Sequence, residues 1–238
     1  MKKEKREDPL DALINSAGSE ILGKLVKKLA LAQPEIRREC FNFLKDHVDM
    51  APDEEAVSAA ESMFALWMEL EPDLSELDEY GGGDYDTVDH VGGLLYEISE
   101  RLQDKTLPRE SRRELLDEVL SYIRSGNAGM DDALYEVAYD ACYDEDDLRD
   151  LAQRFEAVGQ DWPLDHARRI YRKIGDQEKY LELRSLKMEY GSDYHDLATF
   201  YWEAGEWMNC GLFWRNAPCS QATVRNILNF SSLRQPMG

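Results

Sequence analysis

Positive charge is short relative to negative: 28 Lys and Arg stand against 49 Asp and Glu, a formal charge of -21. So acidic a surface repels a phosphate backbone, which excludes free nucleic acid as a direct partner. Cysteine is scarce too. Cys40, Cys142, Cys210 and Cys219 are scattered, with neither a disulfide framework nor the close double pairs of a zinc site, and they read as reduced thiols of a cytoplasmic protein. Long apolar runs are missing: none approaches the ~20 residues that span a bilayer, so no membrane partner is expected. The opening MKKEKREDPLD leads into amphipathic sequence without the apolar core of a secretion signal. Catalytic signatures are absent as well. There is no Gly-x-Ser-x-Gly elbow and no His-Glu-x-x-His, and Gly81-Gly82-Gly83 neither follows an apolar strand nor precedes Lys-Ser/Thr. The chain therefore reads as non-enzymatic, with no cofactor.

What is present suffices for a folded core: 43% of residues are hydrophobic, including 12 Tyr, 7 Phe and 5 Trp, too much apolar surface for a disordered chain. Asp8 and Pro9 form an N-cap and first helical position, followed by Leu10, Leu13 and Ile14 at helical spacing. Ser19 caps a second helix, with Ile21, Leu22, Leu25, Val26 and Leu29 along one stripe and Lys24, Lys27 and Lys28 facing water. Pro34 opens a third, whose Ile36, Cys40, Phe43, Leu44 and Val48 predict packing against neighbours. A membrane-surface role for the Lys-rich face is the rival reading. Pro52 begins a longer apolar helix through Val57, Ala60, Phe64, Trp67, Met68 and Leu70, closed by Pro72, its aromatics read as core. From Glu71 to Glu100 there are ten acids and no Lys or Arg, which predicts a flexible, fast-exchanging acidic elbow across residues 71–90. Helices resume at Val88–Leu102 and Pro108–Ile123, giving about six before the Gly126 and Gly129 boundary.

Beyond that boundary Gly159, Gly175 and Gly191 stand 16 residues apart and Gly205 follows 14 later. Each reads as the left-handed residue that ends a helix. Two helix-plus-turn units approximate the ~34 residues of a tetratricopeptide hairpin. Ala152, Ala167 and Ala198 with Phe155, Tyr171, Leu183 and Tyr201 suit the small and large packing of stacked hairpins. The expected fold is all-α: a tetratricopeptide-like solenoid of stacked helical hairpins in the second half, a helical bundle or irregular array in the first. The expected segments are N-terminal helices at 1–80, acidic linker and hairpin at 81–125, repeats at 126–207 and an atypical tail at 208–238.

The run from AYDACYDEDDLRDLAQRFEAVGQDWPLDHARRIYRKIG through DYHDLATFYWEAGEW, with GKLVKKLALAQPEIRREC and GGLLYEISERLQ upstream, resembles the helical region of prokaryotic proteins that carry a SWIM zinc finger. That family's Cys-x-Cys and Cys-x-His signature is absent, so the resemblance implies no zinc ligand in this chain. It implies a helical scaffold, and as an alternative function an accessory domain whose active part lies on another chain.

All four histidines adjoin an aspartate (Asp46-His47, Asp89-His90, Asp165-His166, His195-Asp196), but adjacent helical residues point about 100° apart, so surface or helix-end positions are expected. Asp84, Asp86 and Asp89 offer calcium-type oxygens. Loop positions six and twelve would be Asp89 and Leu95 instead of Gly and Glu, so a solvated linker is favoured. Asp144 to Asp147 reads as a helix cap. Cys40 and Cys142 read as inert thiols on apolar helical faces. Tyr194, Tyr201, Trp202 and Trp207, near the end of the repeats, are candidate contacts for a protein or peptide, with core packing as the rival. Met208–Gly238 holds three Arg and no Lys, Asp or Glu. Read as a replaced terminus it leaves the Tyr194 to Ala204 helix partly uncovered; read as a native basic tail it need not. The function expected is an interaction scaffold for a partner with a basic surface.

Overall fold

A computed structural model describes residues 8–45, 47–49, 51–186 and 188–205. Among them are eleven helices and no strand: α1 (Pro9–Ser16), α2 (Ser19–Ala32), α3 (Pro34–Lys45), α4 (Pro52–Tyr80), α5 (Tyr85–Leu102), α6 (Arg109–Ser125), α7 (Asp131–Asp140), α8 (Glu145–Val158), α9 (Asp161–Lys173), α10 (Gln177–Leu186) and α11 (Gly191–Glu203). The all-α expectation is met, with six helices before Gly126. The chain divides into two compact units, Met1–Leu151 and Ala152–Gly238. The expected tail and Trp207 lie outside the described residues.

In the first unit α4 is central. It packs on α3, α5 and α6, while α2 packs on α3 and α7 packs on both α5 and α6. Helices meeting their next-but-one neighbour, as α4 meets α6 and α5 meets α7, are consistent with stacked hairpins. The core side of α4 carries Met63, Leu66, Leu70, Leu74 and Leu77, all essentially inaccessible to water, each contributing about 1.5–3 kcal/mol. That stripe explains why Pro72 does not close the helix as expected. Pro72 lies inside α4; it forgoes one backbone bond, and burial of Leu74 and Leu77 in the following turns outweighs the loss.

The expected acidic elbow is likewise helical on both sides, which leaves only Gly81–Asp84 between α4 and α5. Gly81 ends α4 at φ 75° with its N–H on the Leu77 carbonyl, and Asp84 caps α5 by accepting from the Asp86 and Thr87 N–H groups. The aspartate that suggested a cation loop is therefore an N-cap. Buried Leu74, Leu77, Val91 and Leu94 hold the acidic faces outward.

The start of the chain behaves as read, with Asp8 accepting from the Leu10 N–H at 2.9 Å. Gly18, not Ser19, occupies the cap of α2. α3 packs on α2 and α4 as expected, with Ile36 and Cys40 half-buried, but its C-terminal Phe43 and Leu44, and Val48 beyond it, are exposed. Its arginines are half-buried as well. Arg38 lies 3.1 Å from Glu69 and 3.2 Å from Glu97, and Arg37 lies 2.6 Å from Glu61. Burial pushes the Glu69 carboxyl above its usual range, with Arg38 opposing.

In the second unit α9 packs on α10. Tyr171 reaches back to Glu156 of α8, and Tyr180 of α10 stacks on Phe200 of α11 at 4.5 Å. The small and large residues expected in the packing are buried at Ala152, Phe155, Ala167, Tyr171, Leu183 and Ala198. Tyr201 is only half-buried. Gly159, Gly175 and Gly205 take φ of 72°, 75° and 75° at helix ends, as read. Gly191 does not; it opens α11. The reason is local: the Asp193 carboxylate accepts from the Glu189 and Tyr190 N–H groups at 2.9 and 2.8 Å, which builds an N-terminal cap at that glycine.

Candidate functional site

Three of the aromatic candidates, Tyr194, Tyr201 and Trp202, lie on α11. Tyr194 is half-buried and its hydroxyl donates to the Met188 carbonyl at 3.3 Å. Tyr201 stands edge-on to Phe200 at 5.7 Å. Trp202 is 49% exposed. Leu197, Ala198 and Phe200 make the buried side of this helix. Its charged neighbours are structural: Arg172 bridges Asp196 at 2.7 Å and Glu203 at 2.6 Å, while Tyr180 donates to Asp196 at 2.8 Å.

Asp196 and Asp165 of the Asp-His neighbours are engaged by other groups. Asp196 serves Arg172 and Tyr180. Asp165 serves Arg168 and Arg169 at 2.7 Å each; burial pushes its carboxyl up, but the two guanidiniums outweigh this and hold it below the usual range. Asp89 and His90 are exposed, and Asp46 lies outside the described residues. His47 stacks on Phe43 and contacts the Phe43 carbonyl at 2.6 Å. His166 corrects the surface expectation. It is buried between Phe155 and Trp162, because it shares the α9 stripe of Pro163, Ala167 and Ile170. Cys142 also departs from expectation: it lies just past α7, its thiol directed at the Ala138 carbonyl at 3.4 Å, and both it and Cys40 are only partly buried.

The feature that sequence reasoning missed is a groove of about 640 Å³ between the first half of α4 and the start of α6. Its α4 wall is Val57, Ala60, Phe64, Trp67 and Met68; its α6 wall is Pro108, Ser111, Glu114 and Glu118. Trp67 and Ala60 are buried, while Val57 and Met68 are more than half exposed. The α4 residues recur at three and four positions, so they form a second apolar stripe beside the core stripe. Trp67 is fixed edge-on to Tyr122 at 6.0 Å. The Tyr122 hydroxyl donates to Glu71 at 3.2 Å, and burial, reinforced by Glu71, pushes its pKa up to about 12.

Four glutamates rim this apolar wall: Glu61, Glu71, Glu114 and Glu118. Glu61 is matched by Arg37. Glu114 and Glu118 are exposed, stand one turn apart on α6, and have no ion pair to a described residue. Like charges at that spacing cost α6 a few tenths of a kcal/mol. An apolar trough with an uncompensated acidic lip can receive an amphipathic helix that presents Leu or Ile below and Lys or Arg at its edges.

Among the described residues, no group of three His, Cys, Asp or Glu is placed to hold a metal ion, and no helix is long and apolar enough to cross a membrane. Compared with family models, curated proteins and solved structures, the chain matches none.

Proposed function

We propose that this chain is a non-enzymatic, cytoplasmic protein-interaction scaffold that binds a basic amphipathic helix of a partner protein in the α4–α6 groove. The observation that carries this reading is the pairing of an apolar stripe, exposed Val57 and Met68 with half-buried Phe64 between them, with the unmatched Glu114 and Glu118. Exposed apolar surface of this kind marks a recognition site more often than chance, and the acidic lip speeds encounter with a basic partner. Tetratricopeptide-like stacking of the second half, with Tyr194, Tyr201, Trp202 and Trp207 near its end, offers a second surface for the same partner.

The defining experiment is calorimetric titration of the full chain with a synthetic Leu/Lys peptide that repeats Leu at helical spacing. Saturable micromolar binding is expected, weakened about tenfold or more in the double variant Glu114→Lys, Glu118→Lys. A Leu/Glu peptide of the same spacing is expected not to bind. Equal binding of the basic peptide by the variant and the native chain would sink the proposal.

A further inference from the structure

The first two helices are the counterpart of that groove. Neither α1 nor α2 has a buried residue. Leu10, Leu13, Ile14, Ile21, Leu25, Val26, Leu29 and Leu31 are all more than 40% exposed, and exposed apolar residues clustered in this way mark an interaction surface. Ile21, Leu25 and Leu29 repeat at four-residue spacing, so they line one side of α2. Lys24, Lys27 and Lys28 flank that stripe.

Charge is divided along the same line. Residues 1–33 contain seven Lys and Arg and five Asp and Glu, whereas residues 34–151 contain ten and 33. The arm is net positive and the body it leaves is strongly negative. Intramolecular docking does not account for the exposed stripe: α2 rests on α3 with Leu22 and Ala30 as its half-buried residues, and α3 follows after the single residue Gln33 and is clamped to α4 and α5 through Arg37, Arg38 and the Asn42–Arg101 contact.

Resting on the reading of the α4–α6 groove as a site for basic helices, we propose that α2 of one copy seats its uncovered apolar stripe and lysines in that groove of a second copy. The contact is heterologous: each copy offers a helix to one neighbour and a groove to another, and so builds rings or short chains.

The test uses light scattering behind size exclusion on the full chain over a range of concentrations. The native chain is expected to gain mass with concentration. Two double variants on exposed positions separate the halves of the contact: Ile21→Glu with Leu25→Glu removes the helix, and Glu114→Lys with Glu118→Lys removes the groove lip. Each alone is expected to stay monomeric, its fold checked by circular dichroism. Replacing Glu by Lys makes the chain less negative, so general repulsion falls and lost association reports the contact itself. Mixed together, the two variants are expected to form a one-to-one complex that grows no further, because exactly one intact helix meets one intact groove.

That complementation excludes symmetric pairing of α2 with α2, which would leave the groove variant self-associating. Persistent association of the groove variant, a monomeric native chain at every concentration, or a mixture that stays monomeric would each overturn the proposal. If the Leu/Lys peptide still binds while native copies stay apart, the self-contact fails and the groove reading stands. If the peptide fails to bind as well, both fail.

Discussion

Three carbonyl oxygens converge on one guanidinium. Arg112 is 2% exposed and donates to the carbonyls of Leu102 at 2.7 Å, Asp104 at 2.6 Å and Asp140 at 3.0 Å. It thereby satisfies backbone acceptors past the ends of α5 and α7 that no helix can bond. Burial pushes its pKa down, yet it stays charged at any physiological pH. Arg112→Met keeps the volume and orphans those carbonyls, so a loss of roughly 3 kcal/mol is expected in urea unfolding at unchanged slope, with Lys restoring only part. No change in midpoint would show the carbonyls to be hydrated. Asp147 gives the pH counterpart. Its carboxylate accepts from Arg109, Arg113 and the Tyr143 N–H; burial pushes it up, but these donors outweigh burial and hold it below the ordinary value of 3.8. Because the folded pKa lies below the unfolded one, this stabilisation is present above the unfolded value and lost as pH falls through the folded one. Asp147→Asn is therefore expected to destabilise at neutral pH and to flatten the loss of stability below pH 3.8. An acid limb as steep as in the native chain would refute this.

At the scale of elements, helix ends set by local chemistry alone were legible, and those set by packing or by a competing cap were not. Asp8-Pro9, Gly159 and Gly175 each act through atoms within a turn, and all three stand where the pattern puts them. Gly191 was misread because a competing cap within the next turn wins, with Asp193 accepting from the Glu189 and Tyr190 N–H groups; Pro72 was misread because a longer-range preference wins, the burial of Leu74 and Leu77. The groove was illegible for the same reason. Phe64, Trp67 and Met68 follow a core spacing, and Glu114 and Glu118 follow an ordinary solvated face; only the packing of α6 against α4 makes them one site. Pro72 also yields a prediction. Alanine there restores a backbone donor inside α4 and removes the ring clash, worth about 3 kcal/mol, against up to about 1 kcal/mol of added unfolded-state entropy. Pro72→Ala is expected to stabilise by roughly 2 kcal/mol in urea unfolding. A destabilised variant would mean that α4 depends on a bend at Pro72.

Across the whole molecule, the acid excess belongs to one unit. Residues 1–151 carry 17 Lys and Arg against 38 Asp and Glu, whereas residues 152–238 carry eleven of each. The first unit thus holds more than twice as many acids as cations, and the mutual repulsion of the surplus opposes its compact state. The second unit is evenly balanced, and its Arg172, Lys179 and Arg184 each meet carboxylates within 3.3 Å. Salt screens both effects, over a Debye length of about 10 Å at 0.1 M. In the first unit it relieves repulsion that has no attractive counterpart; in the second it weakens partly exposed ion pairs worth about 0–1 kcal/mol each. Hydrogen exchange read peptide by peptide resolves the two, because the slowest amides report the opening of their own unit. Raising NaCl from low to moderate strength is expected to slow exchange in α4 to α7 by about tenfold, equivalent to ~1.4 kcal/mol. Exchange in α9 and α10 is expected to stay level or quicken. The measurement belongs at low protein concentration, where association between copies contributes least to protection. Equal slowing in both units would show that salt acts on burial generally, and faster exchange in α4 to α7 would show that pairs such as Arg38 with Glu69 outweigh the surplus of unmatched acids.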